Sequence, residues 1–228
     1  MLSAIIVAGG SSQRMGFDKT FASLGGKPAV AHSIAAFEQT DSVGEIILVG
    51  RAERLSELEE LVRTGKFGKV SAIIPGGARR QDSVRHGLEK ADDANDFIAV
   101  HDAARPLVSP GLIERILELA RAHGGAASAA PVSDTLKRAD DERIVTGGVE
   151  RDHLFAVQTP QIFQAELLRR AYAAIFAAGL EVTDEISAVE QVGGKVALLP
   201  NETPNFKLTY PADLRLAEFV LGERKDTR

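Results

Sequence analysis

Short apolar runs alternate with amphipathic segments along the first half of the chain. The apolar runs predict buried strands at 4–7, 45–49, 70–74 and 97–101. The amphipathic segments between them predict helices at 29–39, 52–64 and 81–91. This alternation favours parallel βαβ units, with helices packed on both faces of one sheet.

The pattern continues with a helix at 112–123, which Ser109 and Pro110 open as an N-cap residue followed by a proline in the first turn. After 126–132 the regular alternation ends. Apolar periodicity returns further on and predicts helices at 166–178, 185–192 and 212–221. One further short strand is predicted at 196–199.

Residues 133–157 interrupt this pattern with a polar, charge-rich stretch. Two weak extended segments, at 135–138 and 143–146, flank the turn residues 139–142. We interpret the stretch as a hairpin or arm that projects from the domain, because a connection of this length in a compact domain is usually functional. The alternative is a surface loop. An isolated arm buries little surface, so packing against a second subunit is expected.

The length of 228 residues fits one domain, or one domain plus an excursion, and is enough to bury a large core. We predict a single domain spanning 1–228. The net charge of −5 provides no global basic field, so no nucleic-acid partner is expected. The absence of cysteine excludes disulfides, thiol catalysis and cysteine-based zinc sites. With no signal-peptide pattern and no apolar stretch near the roughly 20 residues of a membrane span, we expect no membrane partner and a cytoplasmic location.

The loop that follows the first apolar run carries the first candidate chemistry. The small residues Ala8, Gly9, Gly10 and Ser11 let the backbone approach a ligand closely, with N–H groups available to phosphate oxygens. Cations follow in the same loop, at Arg14 and Lys19. The sequence matches neither the P-loop pattern nor the dinucleotide fingerprint. It predicts a nucleoside triphosphate site; the alternative is a tight turn with two solvated cations.

A second cluster follows the predicted strand 97–101. Ligands in open α/β sheets bind beyond the carboxyl ends of strands, and Asp102 lies there as a hard oxygen ligand suited to Mg²⁺. Arg105 could bind a phosphate with two hydrogen bonds, or form a salt bridge within the loop. We interpret His101 as a packed or hydrogen-bonded structural residue.

Three later segments each have an ordinary structural interpretation when taken alone. Residues 151–161 indicate an ordered turn around Pro160. In 182–186, Thr183 or Asp184 would cap the following helix. In 205–214, a strand is predicted to carry Lys207 to the start of the last helix.

Together these segments resemble the 2-C-methyl-D-erythritol 4-phosphate cytidylyltransferase family, which acts in the methylerythritol phosphate route to isoprenoids. The resemblance runs from residue 8 to residue 214 and is carried by AGG-SSQRM-GFDK, GGARRQDSVRHGL, HDAARP, RDHLFAVQTPQ, VTDE and NFKLTYPADL. HDAARP together with QTPQ is specific. The opening loop is less specific, because sugar-nucleotide and molybdopterin nucleotidyltransferases share that style.

The resemblance implies a single-domain, Rossmann-like α/β fold of the nucleotide-diphosphosugar-transferase kind: a mostly parallel sheet flanked by helices, with a projecting β-arm that forms a homodimer. It implies CTP and methylerythritol phosphate as substrates, Mg²⁺ as cofactor, and 4-diphosphocytidyl-2-C-methyl-D-erythritol and pyrophosphate as products. It assigns catalytic roles to Arg14, Lys19, Arg151 and Lys207. It assigns nucleotide binding to Ala8, Gly9, Gly10, Ser11, Gly77, Ser83 and Asp102, the last also as metal ligand. It assigns acceptor binding to Arg105, Thr135, Thr159 and Thr183.

This chain departs from the family's pattern in the opening loop, where Asp18-Lys19-Thr20-Phe21 replaces the usual Pro-Lys-Gln-Tyr and the stretch 15–19 is shorter. The GGARRQ segment lacks the acidic residue that often follows the glycine pair. Two other functions stay open. Ribitol 5-phosphate cytidylyltransferases tend to carry HDAVRP instead of HDAARP. A non-catalytic nucleotide-binding regulator would not need the cations and the carboxylate retained here.

Overall fold

The computed structural model of the chain describes residues 1–10 and 16–226. Its strands are β1 (Leu2–Ala8), β2 (Ser23–Leu24), β3 (Lys27–Pro28), β4 (Val43–Gly50), β5 (Val70–Pro75), β6 (Phe97–Asp102), β7 (Gly125–Pro131), β8 (Leu136–Ala139), β9 (Val145–Val149), β10 (Phe155–Gln164) and β11 (Ala197–Pro200). Its helices are α1 (Ala29–Glu38), α2 (Leu55–Gly65), α3 (Arg80–Leu88), α4 (Pro110–His123), α5 (Ala165–Ala177), α6 (Glu185–Glu190) and α7 (Pro211–Asp226). A 3₁₀ turn, Ala52–Arg54, precedes α2.

Within the described residues, seven strands form one sheet in the order β11-β7-β10-β6-β1-β4-β5. Neighbouring strands are parallel except for β10, which runs antiparallel to both β6 and β7. The prediction of a mostly parallel sheet in one α/β domain is therefore confirmed. None of the described helices has both the length and the apolar character that a membrane span requires.

The two faces of the sheet follow from the alternation of side chains along each strand. On β1, Ala4 and Ile6 pack into the core layer beneath α1 and α4, whereas Ile5 packs into the layer beneath α3 and α5. A strand that is covered on both faces has apolar residues at successive positions, and this continuous apolar run is the pattern that predicted β1. A third, smaller cluster joins α7 to the strand pair β2–β3 through Ala217, Leu24 and Leu208.

Strand β10 is where the sequence prediction was wrong. Residues from Phe155 on were assigned to the arm and to an ordered turn, yet Phe155–Gln164 is a full strand of the central sheet. Its pairing with β7 shifts register between Val157 and Gln161. Pro160 lies inside that shift, so its missing N–H falls where the ladder is already interrupted. The strand was not predicted because Pro160 and the flanking glutamines are typical of a turn.

Two other expectations are settled by the structure. The arm exists as a hairpin in which β8 and β9 pair only with each other, but it ends before β10 begins. The strand expected to carry Lys207 is absent, because residues 201–209 have no strand structure. Hydrogen bonds fix this segment instead, from Leu208 N to Ala104 O at 2.8 Å and from Asn205 Nδ2 to Thr159 O at 2.9 Å.

Local capping follows the sequence prediction. Ser109 Oγ accepts a hydrogen bond from Leu112 N at 3.3 Å, and Pro110 is the first residue of α4. Asp184 caps α6 and accepts a hydrogen bond from Ser187 N at 3.0 Å. These caps fix the starts of α4 and α6, and Asp184 itself lines one of the cavities described below.

Candidate active site

The first cavity opens at the carboxyl ends of β1 and β6 and has a volume of about 240 Å³. It is bordered by the loop after β1, the loop and first turn of α3, and the segment that carries Lys207. The predicted nucleotide residues that the structure describes all line it: Ala8, Gly9, Gly10, Gly77, Ser83 and Asp102. Ser11 and Arg14 lie outside the described residues. The structure therefore brings the nucleotide candidates that it describes into one place.

The backbone around Gly77 forms a close turn against α3. Gly77 N donates a hydrogen bond to Ser83 Oγ at 3.1 Å, and Ser83 Oγ in turn donates to Arg79 O at 3.3 Å. A Cβ atom on Gly77 would come within 2.3 Å of the Asp82 Cβ. Glycine is therefore required at this wall, because any side chain would push the loop away from α3.

The second cavity is adjacent, also has a volume of about 240 Å³, and lies between β10 and the start of α6. It contains the three predicted acceptor residues Arg105, Thr159 and Thr183. Three residues line both cavities, and we call them the shared wall: Arg80, Asp102 and Lys207. Two ligands, one in each cavity, would meet at this wall.

Asp102 is the carboxylate of the shared wall, and its side chain is 11% exposed. Lys207 Nζ donates to its Oδ2 at 2.6 Å, and Arg80 Nε donates to its Oδ1 at 3.1 Å. Burial raises the pKa of Asp102, but the charges of Arg80 and Lys207 and the Lys207 hydrogen bond outweigh it, so the pKa lies well below its usual range. Asp102 is therefore ionised throughout the neutral pH range.

Arg80 is held by a carboxylate that the sequence did not single out. Arg80 Nη1 and Nη2 donate to the two oxygens of Glu185 at 2.7 and 3.1 Å, and Tyr172 donates its hydroxyl to Glu185 Oε1 at 3.0 Å. The Glu185 side chain is fully buried. Burial lowers the pKa of Arg80, but Glu185 and Asp102 raise it well above its usual value. Arg80 therefore stays charged, with a fixed orientation.

His101 is buried and hydrogen-bonded, as its structural interpretation predicted. Its Nε2 lies 3.2 Å from Arg105 O, and its Nδ1 lies 3.1 Å from Thr159 Oγ1. A carbonyl can only accept, so the network assigns the proton to Nε2, and Thr159 donates to Nδ1. Burial lowers the pKa of His101 to about 3. The neutral ring thus orients Thr159, whose Oγ1 also accepts from Asp102 N at 3.0 Å.

The remaining predicted site residues that the structure describes lie in three different places: the first cavity, the second cavity and the base of the arm. Lys19 lines the first cavity, and its Nζ donates to Leu208 O at 3.2 Å. Arg105 lines the second cavity and donates from Nη1 to Asn205 O at 2.9 Å. Thr135 and Arg151 lie at the base of the arm, where both are exposed and the Arg151 guanidinium donates to the Ser133 carbonyl. Within the described part of this single chain, Thr135 and Arg151 border neither cavity.

The donor set suits a magnesium ion that would be held mainly by the phosphate oxygens of a bound nucleotide and only in part by the protein. Asp102 is the one carboxylate among the described residues that line the first cavity. The described chain holds no cluster of three or more acidic or histidine side chains that could bind a metal by itself. Mg²⁺ at nucleotide sites typically uses one or two carboxylates together with phosphate oxygens and water. An ionised Asp102 beside a triphosphate-sized cavity fits that pattern.

The family model for 2-C-methyl-D-erythritol 4-phosphate cytidylyltransferase matches residues 2–223. The chain belongs to this family. A curated relative of that name from Dehalococcoides mccartyi (strain CBDB1) is 41% identical over 221 residues, covering 96% of each chain. The solved 4-diphosphocytidyl-2C-methyl-D-erythritol synthase of Anaerococcus prevotii is similar, with a TM-score of 0.84, 26% identity and coverage of 97% of this chain and 98% of that one. The 2-C-methyl-D-erythritol 4-phosphate cytidylyltransferase of Thermus thermophilus has a TM-score of 0.78 and 33% identity, covering 96% and 98%.

These similarities confirm the family and the fold that the sequence predicted, and with them the class of the enzyme as a cytidylyltransferase. The roles of individual side chains stay predictions. The sequence did not predict any part for Arg80 or for Glu185. The adjacent cations Arg79 and Arg80 gave no sign of which would be buried, and Glu185 follows a helix cap, where an acidic residue is common.

Proposed function

We propose that this cytidylyltransferase joins CTP to 2-C-methyl-D-erythritol 4-phosphate, forming 4-diphosphocytidyl-2-C-methyl-D-erythritol and pyrophosphate. The family membership supports this choice of substrates. The observation that carries the proposal is the shared wall: two cavities of similar size meet at Arg80, Asp102 and Lys207. One cavity would hold the nucleotide and the other the acceptor phosphate.

The reaction needs little acid–base chemistry from the protein. A phosphate monoester has a second pKa of about 6, so the acceptor is mostly dianionic near neutral pH. Its oxygen attacks the α-phosphorus of CTP, a new P–O bond forms, and the bond to the β-phosphate breaks to release pyrophosphate. No proton has to be removed. What the protein must supply is the alignment of two polyanions and compensation of charge at the transition state.

The cations of the two cavities suit these tasks. Lys19 in the first cavity, together with Arg14, would stabilise the charge that develops toward pyrophosphate. Lys207 and Arg105 in the second cavity would bind and align the acceptor phosphate, and Thr159 and Thr183 would contribute hydroxyls. Asp102 would hold the magnesium ion, which when bound supplies charge compensation at the triphosphate oxygens.

The base would be selected by shape and by backbone groups. Gly77 and Ser83 form a close-packed wall of the first cavity, where a Cβ on the glycine has no room. Close packing at this wall limits the space for a base in the cavity, which favours a pyrimidine over the larger purine. The cytosine edge would then bind to main-chain groups of the loops after β1 and β5.

We further propose that the enzyme is a homodimer that associates through the arm. Near the arm's tip, Ile144 and Val145 are 62% and 61% exposed. An isolated two-stranded ribbon is marginal in water, so a partner surface that covers these side chains would stabilise it. The same association would bring Thr135 and Arg151 to the partner's acceptor site. The cytoplasmic location expected from the sequence stays a prediction.

A turnover assay tests the proposed function. Purified enzyme is given CTP and Mg²⁺ with either methylerythritol phosphate or ribitol 5-phosphate, and pyrophosphate release is followed. We expect release to require CTP, Mg²⁺ and methylerythritol phosphate together. Equal or faster turnover with ribitol 5-phosphate would make the chain an enzyme of that other acceptor. Nucleotide binding with no turnover on either acceptor would make it a regulator.

A further inference from the structure

Asp18 ties the opening loop to the end of a neighbouring strand. Its carboxylate accepts a hydrogen bond from Arg51, which directly follows β4, and lies 3.7 Å from Arg54 Nη1. Its other oxygen accepts from the backbone N–H of Thr20 at 3.0 Å. The Asp18 side chain is 15% exposed, and those of Arg51 and Arg54 are 29% and 27% exposed. One carboxylate thus faces two cations in a partly desolvated setting.

Lys19 lies between two anchors of this loop. Before it, Asp18 contacts Arg51 and Arg54. After it, Phe21 packs its ring beneath the same Arg54, with the guanidinium carbon 4.1 Å from the ring centroid. Arg54 therefore contacts the residues on both sides of the pair formed by Lys19 and Thr20.

The carboxyl side of the loop is fixed by main-chain contacts to α1. Val30 N donates to Thr20 O at 3.0 Å, and Ala29 N donates to Ala22 O at 2.9 Å. Thr20 itself is buried. The backbone on the amino side of Lys19 is held through the Asp18 carboxylate. An asparagine at position 18 keeps an oxygen that can accept from Thr20 N, but it loses the ion pairs with Arg51 and Arg54. The amino side of the loop is then loosened, while the contacts of Thr20 O and Ala22 O with α1 stay in place.

We propose that Asp18 is a positioning residue, whose ion pairs with Arg51 and Arg54 hold the loop so that Lys19 points into the first cavity. The inference rests on the proposed function, because it assigns Lys19 to the transition state for transfer from CTP.

The experiment compares Asp18→Asn with Glu53→Gln. Glu53 lies 3.6 Å from the same Arg51 and is exposed, so it offers a matched loss of one carboxylate that leaves the loop untouched. We expect Asp18→Asn to lower kcat about 10-fold, since small misplacements of a reacting group can cost up to about 100-fold, with little change in the KM for the acceptor. Glu53→Gln should stay within about twofold of the wild type in both constants.

Epistasis separates positioning from a general structural role. In a Lys19→Ala background, Asp18→Asn should cause no further loss of kcat, because the lysine through which it acts is gone. The same loss of about 10-fold in that background would overturn the proposal, as would an unchanged kcat for Asp18→Asn alone.

A second measurement does not depend on turnover. Acylation of Lys19 by an amine reagent, followed by mass spectrometry, should proceed several-fold faster in Asp18→Asn than in wild type or Glu53→Gln. An unchanged rate at Lys19 would overturn the inference. If the wild-type enzyme shows no turnover with CTP and methylerythritol phosphate, the proposed function fails, and the acylation rate still decides whether Asp18 positions Lys19.

Discussion

Lys207 Nζ donates to Asp102 Oδ2 over 2.6 Å, at the wall that the two cavities share. We assign the lysine to the acceptor phosphate and the carboxylate to the magnesium ion of the nucleotide, as proposed above. The two charges form an ion pair, and Arg80 adds a second cation beside the same carboxylate. Ligands that bind to the two cavities compete with this ion pair, so the two residues can be tested separately by which substrate each substitution affects.

Lys207→Met should impair use of the acceptor more than use of the nucleotide. The substitution keeps most of the length of the unbranched side chain and removes the charge that we assign to the acceptor phosphate. We expect kcat/KM for methylerythritol phosphate to fall about 100-fold, the scale for losing one preorganised donor, with a smaller change in KM for CTP. Initial-rate kinetics with each substrate varied in turn measure both. Lys195→Met, at an exposed position, is the control. An equal rise in both KM values would contradict the assignment.

Asp102→Asn should weaken the response of the enzyme to Mg²⁺ while the fold is retained. The amide is isosteric but carries no charge for a metal ion. We expect the Mg²⁺ concentration at half-maximal rate to rise about 10-fold or more, the scale on which changes near a metal site act. Asp96→Asn, at the opposite end of the same strand region, serves as control, because Asp96 pairs with the N-terminal amine on the surface. An unchanged Mg²⁺ titration would remove Asp102 from the metal site.

Arg80→Leu should destabilise the fold strongly. It leaves the fully buried Glu185 carboxylate without its guanidinium partner, and breaking a buried ion pair in this way typically costs about 3–5 kcal/mol. Urea denaturation measures the free energy of unfolding. The adjacent Arg79→Ala is the comparison, since the Arg79–Asp82 pair lies at the surface and its loss should matter far less. Similar stabilities for the two variants would contradict the view of Arg80 as a buried anchor.

The first cavity was largely predictable from sequence, because its residues lie in a small-residue loop and beyond strand ends, where local pattern carries the information. Ala8, Gly9 and Asp102 belong to that kind. The helix caps at Ser109 and Asp184 were predictable for the same reason, since a cap is a contact between residues three positions apart.

The burial of charged residues through contacts with distant parts of the chain was not predictable. Glu185 bonds to Arg80 across more than a hundred positions, and nothing near either residue distinguishes them from surface charges. Strand β10 was missed because its neighbours β6 and β7 supply most of the apolar setting, while Pro160 and the flanking glutamines suggest a turn. The segment with Lys207 was predicted as a strand, but it forms no ladder with a neighbouring strand. Its hydrogen bonds are isolated ones, from Leu208 N to Ala104 O in the loop after β6 and from the Asn205 side chain to Thr159 O in β10.

His101 should make stability depend on pH below neutrality. Burial lowers its pKa in the folded enzyme to about 3, from an ordinary value near 6.5. Between these values the unfolded chain binds a proton that the folded chain does not, so folding stability falls as the pH decreases from about 6.5 toward about 3. Between about pH 7.5 and pH 5 the loss from this residue should be about 2 kcal/mol.

Urea denaturation at both pH values, on wild type and on His101→Gln, measures this loss. The variant should lose correspondingly less stability on acidification, whereas the exposed His123→Gln should behave like wild type. Identical acid sensitivity of wild type and His101→Gln would contradict the expected titration.

Deletion of residues 135–146 should give a monomer with little activity. The deletion removes the exposed apolar residues Ile144 and Val145, which follow the tip, together with Thr135 at the base of the arm. Deletion of 140–142 alone should do little, because a loop tip tolerates change. Sedimentation velocity measures the association state, and the turnover assay measures activity. A fully active monomer from the larger deletion would exclude the arm from both roles.

The shared wall also constrains the chemical groups that an inhibitor of this enzyme can carry. A compound confined to one cavity leaves the other free and faces competition from only one substrate. A compound that extends across Arg80 and Lys207 would exclude both substrates at once, and its central group would have to be anionic to balance these cations while avoiding Asp102. Selectivity would then depend on the outer ends, where Gly77 on one side and Thr183 on the other present neutral surface.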